Sequence, residues 1–451
     1  MRPPICKDCN VILISLDTLS ANHLPCYGYE RNTAPNLCKF GEDNIMFTNA
    51  FSNASWTLPS HVSIFTGLYP NQHKVNIQNV DSLSRSIPFL PEILQQNGYK
   101  TYFNMPLNSE FFPIDKVYNR GIDQLIDSDT PQGWVSSLKT LTENNKKGQK
   151  TFLFLHTYWV HEPYIPENKK RIIFAKNLNE SPYLKIIEDA KGPDRCNLNF
   201  LYFLKKEITA YGKEYPIVID TPLYIKLMQV SNKENMSEFC SLYGYSQDIV
   251  GYYAPYANSL INTNDAKMMS HMKDLYDSKI FELDEYLQNT LMYVLNSDLK
   301  KNTVIVITAD HGEEFMEHGL WGHGRQLYDT MTKVPLMIYI PGQKNIKISQ
   351  AAQSVDIVPT LLNVLKINNS YRFFGSDLFV KDIFNTPKYV FAQEDKNGTI
   401  RDNEWKLFYQ IENNNPVGIR LFDFKKDPQE KNDVIFTNNT TLERLLKNIP
   451  K

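Results

Sequence analysis

The chain has 451 residues, 42% hydrophobic and 22% charged, an ordinary globular balance with length for one large α/β core and an appended smaller unit. A formal net charge of -2 gives no field that would draw nucleic acid or an anionic membrane as the main partner. No apolar run approaches the roughly 18 residues of a bilayer-crossing helix, so no membrane span is expected. The opening MRPPICKDCN lacks the basic and apolar regions of a signal peptide, so the chain as given is expected to carry no leader.

Cys6 and Cys9 have redox or metal spacing, but Cys26, Cys38, Cys196 and Cys240 form no second pair at such spacing. The cysteines therefore imply neither a zinc site nor a disulfide framework. In NVILISLDTL, the run from Val11 to Leu16 is short and rich in β-branched residues, and it reads as a strand buried on both faces of a parallel sheet. It ends at Asp17, and in open α/β sheets sites are built at the carboxyl ends of strands. Next comes WTLPSHVSIFTG, where Thr57 either caps a helix starting at Pro59 or presents its hydroxyl at a helix N-terminus suited to an anion. Both readings are compatible. Asn53, Asn235 and Asn397 begin Asn-x-Ser/Thr triplets, which chance explains in a chain so rich in asparagine.

SIPFLPEILQQNGYKTYF has the spacing of a helix that stops at Gly98 before a strand. A second buried strand, Thr151 to His156, delivers His156 at its end. The region 165–262, rich in Tyr and Lys, fits the alternation poorly and reads as an insertion or cap that selects substrate. Amphipathic spacing from His271 to Leu295 gives a helix, and NTVIVITADHG gives a third buried strand ending in Asp310 and His311. There Gly312 frees the backbone for a sharp turn. A fourth apolar run starts at Val334, and SVDIVPTLLNVL is a helix. After a polar break near Asn369, YVFAQED, EWKLFYQI and IRLFDF alternate like antiparallel strands of a smaller subdomain. Alternating strands and helices before that break imply a mostly parallel sheet covered on both sides.

Asp310 and His311 pair a hard carboxylate with an imidazole at one strand end, a metal-ligand combination. Alone, such a pair reads as a helix cap beside a surface histidine. Here GEEFMEHGLWGHG adds His318 and His323 in one Gly-punctuated loop. Asp17, closing an apolar strand, is costly unless it caps a helix or faces a cation.

The blocks NVILISLDTLSANHLPCYGYERNTAPNL, WTLPSHVSIFTGLYPNQHKV, FLHTYWVHEPY and TADHGEEFMEHGLWGHGRQLYDTMTKVPLMIYIPG resemble, in order and spacing, the signature blocks of the sulfatase family within the alkaline phosphatase superfamily. EWKLFY followed by LFDFKKDPQEKND resembles that family's closing segment. The resemblance implies an α/β sandwich with a large central mixed sheet flanked by helices and a smaller, four-stranded C-terminal antiparallel sheet. On that reading residues 1–368 form the catalytic domain, with the 165–262 insertion, and 369–451 the C-terminal subdomain. It further implies that Asp17, Thr57, Asp310 and His311 surround one divalent metal, with Thr57 in the nucleophile position. His161 and His323 fall where family members contact the transferred group or protonate the leaving oxygen. Thr18 falls where many sulfatases place a second aspartate, His61 follows the Ser where they carry an arginine, and His156 faces the same site. His73 and His318 read as loop-fixing residues outside the catalytic set. Family resemblance also favours an extracytoplasmic or periplasmic location.

Sulfatases of this family carry Cys or Ser at the nucleophile position, oxidised to formylglycine, whose hydrate expels sulfate by breaking its own carbon-oxygen bond. Threonine cannot become that aldehyde, and an alkyl sulfate on Thr57 has no such exit. A phosphothreonine is open to in-line attack at phosphorus. The expected function is therefore metal-dependent hydrolysis or transfer of phosphate mono- or diesters through phospho-Thr57, resembling the superfamily's threonine-dependent branch. The Asp-Asp-His-Thr set suits Zn²⁺ or Mn²⁺, with Ca²⁺ or Mg²⁺ also compatible. Two alternatives stand beside it: sulfate ester hydrolysis by metal-bound water, and a silent binding protein for a sulfated or phosphorylated glycan or lipid headgroup.

Overall fold

The computed structural model describes residues 4–75, 83–107, 113, 116–128, 130–162, 164, 173–174, 263–324, 326–380 and 389–450. Residues Met1–His161 and Lys279–Lys451 form one compact unit, and Glu162–Ser278 a second. The expected insertion at 165–262 lies almost wholly outside the described residues. Within the second unit, the rings of Tyr164 and Tyr276 meet edge to face at 5.5 Å.

The first unit is built on an eight-stranded sheet of β1 (Asn10–Leu16), β2 (Ile45–Phe47), β3 (Lys100–Met105), β4 (Gln124–Asp127), β5 (Thr151–Thr157), β6 (Thr303–Thr308), β7 (Leu336–Tyr339) and β8 (Ile346–Ile348). The spatial order is β8-β2-β7-β6-β1-β5-β3-β4. Only β7 runs antiparallel to its neighbours, so the sheet is mixed. The apolar runs read from the sequence are its centre: every residue of β1, β5 and β6 is buried, as strands covered on both faces require. Parallel register on both sides of β1 brings the ends of all three strands together, pairing Ser15 with His156 and with Thr308. Short β2 and β8 carry too few residues for a periodic signal in the sequence.

Two helices set the site's geometry. Helix Thr57–Thr66 has all ten residues buried. Its Phe65 ring packs against Phe154 of β5 at 5.0 Å and Phe103 of β3 at 5.3 Å, fastening the helix to the sheet. Helix Pro35–Asp43 begins after Ala34, which has no capping side chain. Asp284, on the long helix Ala266–Leu295, supplies the cap by accepting hydrogen bonds from Asn36 N at 2.9 Å and Leu37 N at 2.7 Å. Among the described residues no helix is long and apolar enough to cross a membrane.

The C-terminal sheet is antiparallel in simple order, β9 (Val390–Glu394), β10 (Asn397–Arg401), β11 (Trp405–Glu412) and β12 (Asn415–Asp423). Ile400, Leu407 and Leu421 make a core of its own with Leu445 of the last helix. Strand β10, which carries a glycine, gives no alternating signal in the sequence.

Three sequence expectations are corrected here. The cysteines do pair: Cys6 bonds Cys9, and Cys26 bonds Cys38. The turn into helix Pro35–Asp43 brings the second pair to a Cα separation of 5.4 Å, which residue spacing does not reveal. Gly312 is not in a left-handed turn; a side chain there would meet Thr330 O at 2.1 Å, so close packing demands the glycine. Thr57 does not cap its helix, because Trp56 holds the cap position and the helix starts at Thr57 itself.

Candidate active site

The three central strands end in a fully buried cluster. Asp17 follows β1 directly, and Thr18 after it has φ of 55°, a left-handed conformation that a branched residue adopts only when held. The hold comes from across the sheet, where Thr18 N donates to Asp310 Oδ1 at 3.2 Å. Asp310 Oδ1 also accepts from His311 N at 2.8 Å. Released from capping, the Thr57 hydroxyl stands 3.4 Å from Asp17 Oδ2 and 3.4 Å from His311 Nε2.

Hydrogen bonds fix the histidine tautomers. His311 Nδ1 donates to Gly312 O at 2.9 Å, which leaves the Nε2 lone pair facing Thr57. His61 Nδ1 donates to Thr57 O at 2.8 Å, and burial keeps this imidazole neutral, so its Nε2 accepts from Ser15 Oγ at 2.8 Å. His61 thus supports the first turn of the helix from beneath. His323 Nδ1 donates to the buried Glu313 Oε1 at 3.0 Å, and burial pushes this imidazole down to about 4.

The electrostatics call for a cation. Burial, and then the neighbouring Asp310 charge, push Asp17 well above the usual carboxylate range. Burial works on Asp310 too, and it falls below that range only where His311, His61 and His156 beside it carry positive charge. Asp17 Oδ1 and Asp310 Oδ2 are buried and receive no hydrogen bond among the described residues. One ligand atom from each of Asp17, Asp310 and His311 lies within 4.8 Å of the others. Two buried carboxylates with unused lone pairs, a histidine with its lone pair turned inward and a hydroxyl beside them fit a divalent metal ion.

The other expected residues gather here as well. His156 Nε2 is 3.5 Å from Asp17 Oδ2, and its ring meets that of His61 at 4.9 Å. His323 joins the rings of His311 at 4.6 Å and His161 at 4.8 Å. Thr18 contributes its backbone N-H. His73 and His318 lie in other networks: His73 is buried against Ser63, and His318 bonds Glu314 and Gln429 O.

Sequence reading misses Ser15, Glu313 and Trp56, whose ring packs on His323 at 5.2 Å. Ser15 carries a signal. It is a lone polar residue two places before Asp17 in an apolar strand, hence on the same face. Asn53 is more than an incidental triplet; it is buried and bonds Gln353, Phe391 O and Val355 N, anchoring the turn before Thr57.

Comparisons with known proteins agree with this architecture. The sequence model of the family described as Sulfatase matches residues 9–367. The iduronate 2-sulfatase of Mus musculus is 25% identical over 74% of this chain, which spans 60% of that protein's length. A solved complex of a protein with its substrate D-glucosamine-2-N,6-O-disulfate superposes with a TM-score of 0.63 at 18% identity, covering 99% of this chain and 96% of the other. The phosphonate monoester hydrolase of Agrobacterium radiobacter superposes with a TM-score of 0.62 at 18% identity, covering 97% and 93%.

Proposed function

The chain belongs to the sulfatase family, and from this premise we propose that it is an esterase that cleaves or transfers phosphate mono- or diesters through a covalent phosphothreonine at Thr57. One observation carries the proposal: the buried Thr57 hydroxyl lies 3.4 Å from both Asp17 Oδ2 and His311 Nε2, and the sequence resemblance would put this threonine at the position of the residue oxidised to formylglycine. Threonine oxidised at its side chain gives a ketone, without the aldehyde hydrate that releases sulfate.

A divalent ion held by Asp17, Thr57, Asp310 and His311 would lower the pKa of the Thr57 hydroxyl and offset charge on the ester. The N-terminus of helix Thr57–Thr66, without a side-chain cap, offers its backbone N-H groups to the ester's oxygens. Thr57 gives up its hydroxyl proton to solvent, Oγ1 attacks phosphorus, and the new Oγ-P bond forms as the bond from phosphorus to the leaving oxygen breaks. His323, fixed by Glu313 with Nε2 turned away from that bond, gives the leaving oxygen its proton. Neutral on its own, His323 gains that proton as the anionic ester arrives beside it. Water or an acceptor alcohol then loses a proton to the same imidazole and attacks phosphorus, the Oγ-P bond breaks, and Thr57 Oγ is restored. His161, whose ring touches His323, assists at the ester's oxygens. The disulfides support an oxidising, extracytoplasmic compartment.

Sulfate ester hydrolysis is the second reading, supported by the likeness to the iduronate 2-sulfatase and to the protein solved with its disulfated glucosamine substrate. The test is a rate comparison of aryl phosphate, phosphodiester, phosphonate and sulfate with Zn²⁺, Mn²⁺ or Ca²⁺. Faster phosphorus esters are expected; a preference for the sulfate overturns the proposal.

A further inference from the structure

Five consecutive backbone carbonyls, from Asp329 to Lys333, each accept a hydrogen bond from a segment that carries the site. Asp329 O accepts from Asn22 Nδ2 at 3.3 Å, Thr330 O from Ser20 Oγ at 3.1 Å and Lys333 O from Ala21 N at 3.0 Å, all just beyond Asp17 and Thr18. Met331 O accepts from Gly312 N at 2.7 Å, next to His311. Thr332 O accepts from Ser52 N at 2.7 Å, at the turn that leads to Thr57. The glycine at 312 exists for this contact, since a Cβ there would collide with Thr330 O. One short turn, Asp329–Thr332, therefore touches all three loops whose relative placement makes the cluster.

The turn itself is held from the C-terminal sheet. Arg401 Nη1 of β10 lies 2.7 Å from both carboxylate oxygens of Asp329, and Lys406 Nζ of β11 lies 2.8 Å from Oδ1. Lys406 also pairs with Glu430 at 2.7 Å, and Glu430 Oε2 accepts from Asp329 N at 2.7 Å. The Arg401 guanidinium is sandwiched 4.1 Å from the rings of Phe424 and Phe51, and Phe51 precedes Ser52. Two carboxylates and two cations balance, and Arg401, Lys406 and Glu430 are buried.

We propose that the C-terminal sheet is a positioning element of the active site: Arg401, Lys406 and Glu430 fix the Asp329–Thr332 turn, and its carbonyls register the loops bearing Asp17, Thr57 and His311. This rests on the assignment of the reacting site to those residues. Network charges that act through loop register affect turnover and metal affinity more than they affect substrate recognition. Purely structural charges would change the folded fraction and leave the folded enzyme's turnover unchanged.

The test uses the full chain with Asp329→Asn, and with Asp329→Asn combined with Arg401→Gln, which restores charge balance without restoring the hold on the turn. Thermal midpoint, kcat and KM on an aryl ester, and Zn²⁺ affinity by dye competition are measured for each. The expected result is a kcat lower by about 10–100-fold, the scale expected when groups that orient a site's ligands are changed, with KM within about threefold. Zn²⁺ affinity should fall, and the double variant should recover thermal stability while kcat stays low. If Asp329→Asn does not fold, the double variant gives the same reading. A kcat that recovers with stability, or that never falls in the folded enzyme, overturns the proposal. Thr57→Ala separates the two readings. If it stays active, the site assignment falls and takes this inference with it; if it is dead while both network variants keep kcat, only the positioning role falls.

Discussion

Among the described residues, two carboxylate pairs withdrawn from water, Asp329 with Glu430 and Asp17 with Asp310, are solved in opposite ways. Around Asp329 and Glu430, Arg401 and Lys406 bring matching positive charge at 2.7 to 2.8 Å, and the Asp329 carboxyl, despite its burial, is held well below the usual range by those cations. Around Asp17 and Asp310 the nearby groups able to carry positive charge are, among the described residues, imidazoles, and Asp17 is pushed well above that range. The first cluster is balanced by its own cations, and the second, among the described residues, keeps two carboxylate oxygens without hydrogen bonds and fits an added divalent ion. A buried charge with its partner on the chain serves the fold; one without a partner marks where chemistry is done.

The sharpest way to break this comparison is Thr57→Ala, which removes the hydroxyl from the open cluster. It should lower kcat by about 10⁴-fold or more while the thermal midpoint moves little. In the closed cluster, Lys406→Met takes the cation from buried Glu430, leaving Asp329 its Arg401, and should cost about 3–5 kcal/mol in urea unfolding. Adding Zn²⁺ at a hundredfold excess over its Kd should stabilise the parent by about 2.7 kcal/mol, because only the folded chain assembles the ligand set. In chelator, Asp17→Asn should keep or raise stability, because it removes a carboxylate that burial and Asp310 disfavour, and it should lose the gain from Zn²⁺. A stabilising effect of Zn²⁺ on Asp17→Asn equal to that on the parent would contradict the ligand assignment.

The smallest effect concerns acid. Burial pushes His73 down to about 3, so its folded pKa lies below the unfolded value of about 6.5. The unfolded chain then binds more protons, and the stability tied to neutral His73 is whole above about pH 6.5 and lost as pH falls toward 3. His73→Gln should flatten unfolding midpoints across that window and leave kcat at neutral pH unchanged.

What the sequence makes legible follows from the strength of its periodic signals. Val11 to Leu16, Thr151 to His156 and the strand before Asp310 announce the sheet's centre because strands buried on both faces are uniformly apolar. Their polar terminators point to the candidate site, where Asp17, His156, Asp310 and His311 lie together. Ile45–Phe47 and Ile346–Ile348 are too short to carry a pattern and exist because β7 and each other pair with them. Glu313 and Asn53 stay hidden because a buried polar residue gains its meaning from partners far along the chain, here His323, Gln353 and Phe391. The Arg401-Asp329 contact spans 72 positions, and nothing local foretells it.

The most direct measurement is mass analysis of the peptide carrying Thr57 after acid quench of a reaction with an aryl phosphate and Zn²⁺. One phosphoryl group on Thr57, appearing within the first turnover and absent from Thr57→Ala, is the expected result. Steady turnover of the ester with Thr57 unmodified at every quench time would contradict the phosphothreonine mechanism.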